Sequence, residues 1–165
     1  MKIKVLKYPD DSLKRKADIV MGIDEPLIRK IDELVELMYS SRGIGLAANQ
    51  AGFKESIFVM DCSEDKDEPM CFINPKIISG TGESYLEERC LSFPGVAIQV
   101  QRFKKVVIEF MDINGNTLKK TLKDMESICA QHEIDHLEGK TFLERVNRKN
   151  RRSAQKALKK NKGEK

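Results

Sequence analysis

The sequence has no tryptophan, only two histidines and no C-x-x-C pair among its 165 residues. It also lacks a run of about 18 apolar residues, which argues against a transmembrane helix. The first residues are too lysine-rich to form a secretory signal, so we expect a cytosolic protein. Its four cysteines are then expected to be reduced thiols, with disulfides as the alternative. The length corresponds to one domain with a sizeable core.

Charge is distributed unevenly along the chain. Residues 145–165 hold ten Lys or Arg and one acid, whereas residues 1–144 hold twenty Lys or Arg and twenty-five acids. This asymmetry suggests a polyanionic partner for the basic tail. The alternative is a solvated, partly disordered terminus.

The hydrophobic pattern predicts a mixture of helices and strands. Asp24 and Pro26 mark the start of a helix whose apolar positions recur at helical spacing, and the glycine-bearing stretch 43–50 follows as a loop. Asn114 and Gly115 predict a hairpin turn. We predict strands at 56–62, 70–78, 81–89, 105–111 and 117–123.

A second helix should be capped by Asp124 and stopped by Gly139. A last helix over about 148–160 is basic almost all round, so we expect it to fray. These elements predict an α+β fold in which the second helix is central, antiparallel sheets surround it, and a basic helix ends the chain.

Both histidines lie on that central helix. His132 and His136 are four residues apart, so they share one helical face and can bind one metal ion. Glu133 follows the first histidine and can accept a proton from a water that the metal activates. This His-Glu-x-x-His pattern points to hydrolysis.

Catalytic metal sites usually have three protein ligands, and the chain has no third histidine. Glu138 and Glu144 are available, but a thiolate is the better candidate for Zn, Fe or Ni. Cys90 follows a predicted strand, whereas Cys129 lies one helical turn below His132 and is interpreted as core.

Three segments together resemble the signature motifs of the peptide deformylases. They are G-x-G-L-A-A-x-Q at 43–50, E-x-C-L-S at 88–92 and Q-H-E-x-D-H-L-x-G at 131–139. The resemblance covers roughly residues 1–147, which would form the catalytic domain, with 148–165 as a basic helical extension. It implies hydrolytic removal of the N-terminal formyl group from formyl-methionine on new polypeptides, in a bacterial-type cytoplasm or an organelle.

The resemblance also implies roles for individual residues. Glu133 would move the proton, and the side-chain amide of Gln50 and the backbone N–H of Leu91 would stabilise the oxyanion. Fe(II) is the expected ion, and Zn(II), Ni(II) or Co(II) can substitute. The implied metal ligands are Cys90, His132 and His136.

Substrate binding is expected along a sheet edge. Gly43 and Gly45 would let a peptide backbone approach closely as an added strand. An apolar pocket would then take the methionine side chain. The residues that the resemblance places around this pocket are Ile44, Leu86, Met125, Ile128 and Cys129.

One position departs from the family pattern, which usually has glycine where this chain has Arg89. Arginine would be strained if the position needs a positive φ. We favour the view that its backbone meets the substrate while its side chain points to solvent and affects substrate preference. We also predict that Glu88 pairs with Arg102 and so supports the cysteine segment.

Two other functions compete with deformylation. The His-Glu-x-x-His pattern alone also fits a zinc endopeptidase, and Arg89 in the groove would fit a non-catalytic ribosome-binding relative. In the deformylase case the basic tail is expected to dock on ribosomal RNA or protein. Deleting residues 148–165 should then weaken ribosome association while leaving activity on short formyl-peptides nearly intact.

Overall fold

The computed structural model describes residues 2–163 and has three helices and seven strands in that range. The helices are α1 (Glu25–Ser40), α2 (Asp124–Leu137) and α3 (Arg148–Gly163). The strands are β1 (Gly45–Ala47), β2 (Ile57–Met60), β3 (Met70–Thr81), β4 (Glu87–Cys90), β5 (Phe93–Gln99), β6 (Lys105–Met111) and β7 (Thr117–Lys123). Short 3-10 helices lie at Asp11–Lys14, Ala48–Ala51 and Phe142–Arg145.

The strands form two antiparallel sheets. One has the order β1-β2-β3-β6-β7, and the other is the pair β4-β5. Helix α2 packs against β1, β2, β6 and β7, and α1 packs against β1 and β2. The predicted α+β class is therefore confirmed. Within the described residues, no helix is long and apolar enough to cross a membrane.

Helix α1 forms as its sequence predicts. The Asp24 side chain accepts a hydrogen bond from the Leu27 backbone N–H, which caps the first turn. Leu27, Ile31, Leu34 and Met38 are buried along one face. The β6-β7 hairpin also agrees with its prediction, with Gly115 at a φ of 85° in the turn.

Several local predictions are wrong. Residues 45–50, predicted as loop, form a short strand and most of a 3-10 helix. Strand β5 was not predicted, because Pro94 and Gly95 interrupt its alternating pattern. The predicted strand at 81–89 is divided, since β3 ends at Thr81 and β4 begins only at Glu87. Asp124 makes no capping hydrogen bond; it is the first residue of α2 and has a φ of 53°.

Helix α3 packs more closely than expected. Ala154 and Leu158 are buried in a cluster with Val96 and Ile98 of β5, while Arg148, Lys149 and their basic neighbours remain exposed. The apolar face is narrow but sufficient, because two small or aliphatic side chains one turn apart fit against the two-stranded sheet. The expectation that this helix has too little apolar surface to pack is therefore wrong for the residues around Ala154 and Leu158.

Candidate active site

Strand β4 and helix α2 bring a thiol and two imidazoles together. Cys90, His132 and His136 are all buried, and one ligand atom from each lies within 4.8 Å of the other two. The Cys90 Sγ is 3.3 Å from the His136 Nε2. A soft thiolate with two imidazoles suits zinc and divalent iron, nickel or cobalt, and three protein ligands are typical of catalytic sites. The donor set therefore fits a divalent transition-metal ion.

The orientation of His132 is fixed from behind. Its Nδ1 lies 2.9 Å from Oε1 of Glu88, which leaves Nε2 to face Cys90 and His136. A carboxylate on the far nitrogen of a metal-binding histidine selects the tautomer that presents a lone pair to the metal.

The two rings are not equivalent in charge. Burial lowers the pKa of His132, but Cys90 and the Glu88 carboxylate outweigh it and raise that pKa well above its ordinary value. At His136, burial and the nearby charges of His132 and Arg102 hold the pKa well below its ordinary value. Only a neutral imidazole is a metal ligand, so cation binding at these rings is expected to weaken as the pH falls.

Glu88 belongs to a buried chain of charges that supports the histidines. Arg102 donates to both Glu88 oxygens at 2.8 and 3.0 Å, which confirms the predicted pair. Arg102 also donates to Asp135 at 2.6 Å, and Arg145 donates to both oxygens of Asp135 at 3.0 and 2.6 Å. Burial raises the pKa of Glu88, but His132 and Arg102 outweigh it, so the pKa lies below its ordinary value. Burial also raises the pKa of Asp135, but Arg145 and Arg102 outweigh it, so both carboxylates are held ionised in the interior.

Replacing Arg102 with methionine should destabilise the protein strongly. The variant leaves Glu88 without its buried cation, so we expect the free energy of unfolding to fall by about 3–5 kcal/mol and metal retention to weaken. Urea denaturation and metal analysis measure the two effects. Lys30→Met is the matched control, because the Lys30–Glu55 pair is only partly buried, so its loss should cost less, about 1 kcal/mol. Equal unfolding midpoints for the Arg102 and Lys30 variants would refute the supporting role.

Glu133 lies beside the three ligands with one oxygen unused. Its Oε1 is 4.0 Å from the His132 Nε2, and its buried Oε2 has no hydrogen-bond partner among residues 2–163. Burial raises the pKa of Glu133 to about 7 against the opposing charge of His132, while Glu88 adds to the rise. A carboxyl group with a pKa near neutrality suits both acceptance and delivery of a proton.

Gln50 is held with its amide N–H groups toward the thiol. Its Oε1 accepts from the Ala47 backbone N–H at 2.9 Å, while Nε2 donates to the Ser92 Oγ at 3.1 Å and lies 3.6 Å from the Cys90 Sγ. Leu91 lies between Cys90 and Ser92 and lines the same cavity.

Sequence reasoning missed two supporting residues. Ser92 accepts a hydrogen bond from Gln50, and the side-chain amide of Asn49 donates to the backbone carbonyl of His136. Both residues are buried polar side chains within the motifs. Their place next to Gln50 and Leu91 was the only available signal, because their partners come from distant segments.

The two motif glycines leave room for the catalytic groups. A Cβ on Gly45 would lie 2.5 Å from the Cys129 Sγ and 3.2 Å from the Glu133 side chain. A Cβ on Gly43 would lie 2.7 Å from the Leu91 Cδ1. Any larger residue would therefore displace the side chains that form the site.

An open cavity of about 560 Å³ leads to these groups, within the usual range for ligand sites. Leu86 and Met125 are half exposed at its mouth, and Ile128 and Cys129 are buried deeper. His136 is not among the cavity residues and lies fully buried behind them. The predicted site residues that line the cavity are Gly43, Ile44, Gly45, Gln50, Leu86, Arg89, Cys90, Leu91, Met125, Ile128, Cys129, His132 and Glu133.

Arg89 does not obstruct this cavity. Its position in β4 pairs with Ala97, and it is not among the residues with positive φ. Its side chain is 73% exposed, with its guanidinium 3.9 Å from the Glu87 carboxylate. The side chain therefore points to solvent, as the favoured interpretation expected, and the backbone is unstrained.

Comparisons with known proteins agree on one family. The family model for polypeptide deformylase matches residues 2–152. The peptide deformylase of Neisseria meningitidis serogroup B is 42% identical over 144 residues, covering 87% of this chain and 86% of that protein. The peptide deformylase of Hamiltonella defensa is 37% identical over 158 residues, covering 96% and 92%. The crystal structure of a peptide deformylase from Legionella pneumophila has a TM-score of 0.93 and 38% identity, covering 98% of this chain and 96% of that chain.

Proposed function

The chain belongs to the polypeptide deformylase family and is a hydrolase that deformylates nascent peptides, and we propose how its own residues perform that reaction. The substrate is a formyl-methionyl peptide, and water cleaves the formyl amide to give formate and a free amine. The observation that carries the proposal is the convergence of Cys90, His132 and His136 beside Glu133.

Cys90, His132 and His136 would hold one divalent ion, with Fe(II) as the physiological choice and Zn(II), Ni(II) or Co(II) as substitutes. Such an ion lowers the pKa of water to near neutrality, so that hydroxide is available at physiological pH. The thiolate beside it makes ferrous iron prone to oxidation. Purified protein should therefore be loaded and assayed without oxygen.

Glu133 is the proposed proton carrier. Its buried carboxylate accepts the proton from the attacking water and then delivers it to the nitrogen of the departing amine. The unpartnered Oε2 supports this role, because that oxygen is not committed to any other described residue.

Gln50 and Leu91 are the proposed oxyanion donors. When water attacks the formyl carbon, negative charge develops on the formyl oxygen. The Gln50 Nε2, held in place through Ala47 and Ser92, and the Leu91 backbone N–H would donate to it. Losing one such donor typically costs about 3 kcal/mol of transition-state stabilisation.

The peptide would lie between β1 and β4. β1 is an edge strand. The Ile44 carbonyl accepts a hydrogen bond from the backbone N–H of Asp61, which follows β2. Because backbone groups point to alternate sides along a strand, those of Gly45 face the open edge. A peptide added there binds through its main chain. The apolar wall that includes Ile128 and Met125 would then take the methionine side chain.

A direct assay tests this function. Protein loaded with Fe(II) or Ni(II) should release formate from formyl-Met-Ala-Ser and leave blocked internal peptides intact. Cleavage of the internal peptides would indicate an endopeptidase instead. Absence of turnover with a full metal complement would indicate a non-catalytic relative.

We further propose that residues 148–165 are an extension that docks on the ribosome, in a bacterial-type cytoplasm or an organelle. Several cations of α3 are exposed on one side and line a surface groove. Phosphate contacts through such a surface weaken steeply as salt rises. The cations of this groove are Arg148, Lys149, Arg152 and Lys156.

Removing the four charges of this groove should weaken ribosome binding. Deleting the tail would also expose the cluster that Ala154 and Leu158 help to bury, so substitution to glutamine is the cleaner change. We expect co-sedimentation with ribosomes to fall about tenfold or more at low salt, with activity on short peptides nearly unchanged. Glutamine at Lys105, Lys119, Lys120 and Lys123 on β6 and β7 removes the same charge elsewhere. Equal ribosome binding by the two quadruple variants would contradict docking through α3.

A further inference from the structure

The mouth of the catalytic cavity carries an excess of positive charge. Lys7, Arg42 and Arg89 line it and are exposed, and Glu87 is the exposed acid among its lining residues. Glu88 and Glu133 also line the cavity but are buried at its base. An arriving peptide therefore meets three cations and one anion before it reaches the reacting groups.

Arg89 combines a backbone role with a charged side chain. The Leu86 carbonyl accepts a hydrogen bond from the Val100 backbone N–H, so the backbone groups of Leu86 face β5. Because these groups point to alternate sides along a strand, those of Glu87 and Arg89 point away from β5 and toward the cavity. The Arg89 side chain stands at the edge of the same groove, mostly in solvent. Its ion pair with Glu87 is long and exposed, so the pair is weak and the guanidinium can exchange Glu87 for another anion.

Arg42 occupies a backbone position that favours glycine. It follows the C-terminal cap of α1 with a φ of 60°, and the next N–H, of Gly43, bonds to the Met38 carbonyl. Helices usually end in this way with glycine, because other residues are strained there. A charged side chain is thus present at the cavity mouth, at a backbone position that glycine would occupy with less strain.

Lys7 adds the third cation from a separate segment. Its Nζ donates to the Leu91 carbonyl at 2.9 Å, which fixes the ammonium group beside the turn that follows Cys90. One neutral hydrogen bond leaves the positive charge intact. The three cations come from the N-terminal segment, the end of α1 and β4, and all three line the cavity in which a peptide between β1 and β4 would lie.

We propose that this mouth selects formyl-methionyl peptides with acidic residues in the second and third positions. The proposal rests on the proposed function, because it assumes that the formyl end lies at the metal ligands. An extended peptide advances about 3.3 Å per residue, so the residues after methionine pass the cations as the chain leaves the cavity. Each exposed pairing should favour an acidic peptide by a factor of about 1.5–5, and the collective field should also speed encounter.

Three peptides that differ only in charge test the preference. Formyl-Met-Glu-Glu, formyl-Met-Gln-Gln and formyl-Met-Lys-Lys are assayed with Ni(II)-loaded protein at low salt. We expect kcat/KM for the acidic peptide to exceed that for the basic one by about tenfold, mainly through KM, because the charges act on binding and not on the reacting atoms. At 1 M salt, where the Debye length is about 3 Å, the ratio should approach one.

Charge removal then locates the preference. Arg42→Gly combined with Arg89→Gln should bring the low-salt ratio close to one, and glycine at residue 42 also relieves the backbone strain. Lys105→Gln combined with Lys123→Gln removes the same charge on β6 and β7 and should leave the ratio unchanged. A wild-type ratio near one with good turnover of the neutral peptide overturns the preference alone. An equal drop of the kcat/KM ratio in both double variants shows an effect of net charge and overturns the assignment to the cavity mouth. Absence of turnover with any of the three peptides overturns the proposed function as well.

Discussion

Replacing Glu133 with glutamine is expected to lower kcat on formyl-Met-Ala-Ser by about a thousandfold. Glutamine keeps the size and shape of the side chain but cannot accept a proton. The fold and the metal content should survive, because Glu133 is not one of the three converging ligands. Glu126→Gln is the matched control, since Glu126 is on the same helix but does not line the cavity.

The pH profile gives a second signature of Glu133. A general base works only when ionised, so kcat/KM should fall as the pH drops through the pKa of Glu133. Burial raises that pKa to about 7, and a bound cation nearby should lower it, so the acid limb should lie between pH 4.5 and about 7. This limb should change in the glutamine variant, which keeps only the titration of the water that the cation activates. Wild-type kcat in that variant, or an unchanged acid limb, would assign the proton transfer to another group.

Replacing Cys90 with serine should remove both the metal and the activity. Serine keeps the small side chain but gives up the thiolate, the softest of the three ligands. A metal ion supplies several kcal/mol of transition-state stabilisation, so its loss should lower kcat/KM by about three orders of magnitude or more. Metal content after desalting, measured beside turnover, separates loss of the ion from loss of rate.

A second cysteine makes this experiment specific. Cys62→Ser makes the same chemical change at a free thiol that does not line the cavity. It should retain one metal ion per chain and near-normal turnover. If the Cys62 and Cys90 variants held metal equally well, the thiol of Cys90 would not be a ligand.

The grouping of Glu133 with His132 and His136 could be predicted from the sequence because its geometry is local, whereas the roles of Gln50 and Leu91 were implied only by the resemblance to the family. His132, Glu133 and His136 are fixed relative to one another by one helix, and Cys90 and Leu91 are adjacent in the chain. The pairing of Glu88 with Arg102 was also predicted. Its extension to Asp135 and Arg145 was missed, because residues on α2 and in the segment after it meet only in the folded protein.

The errors in the fold have equally physical causes. Pro94 and Gly95 hid the alternation of Val96 and Ile98 that makes β5 a strand. Helix α3 has a composition typical of a solvated helix, and only the adjacent sheet shows that Leu158 has a hydrophobic surface to cover. The sequence pattern of a segment shows which secondary structure it favours alone. Where that pattern is weak, packing against neighbouring elements decides the structure.

The central claim is that one cation is held by Cys90, His132 and His136. Anomalous scattering from crystals of the zinc-loaded protein, with data on both sides of the zinc edge, tests it most directly. We predict one strong peak per chain, bonded to the sulfur of Cys90 and to one nitrogen of each imidazole. A peak elsewhere, or a site that includes the imidazoles but not this sulfur, would contradict the account.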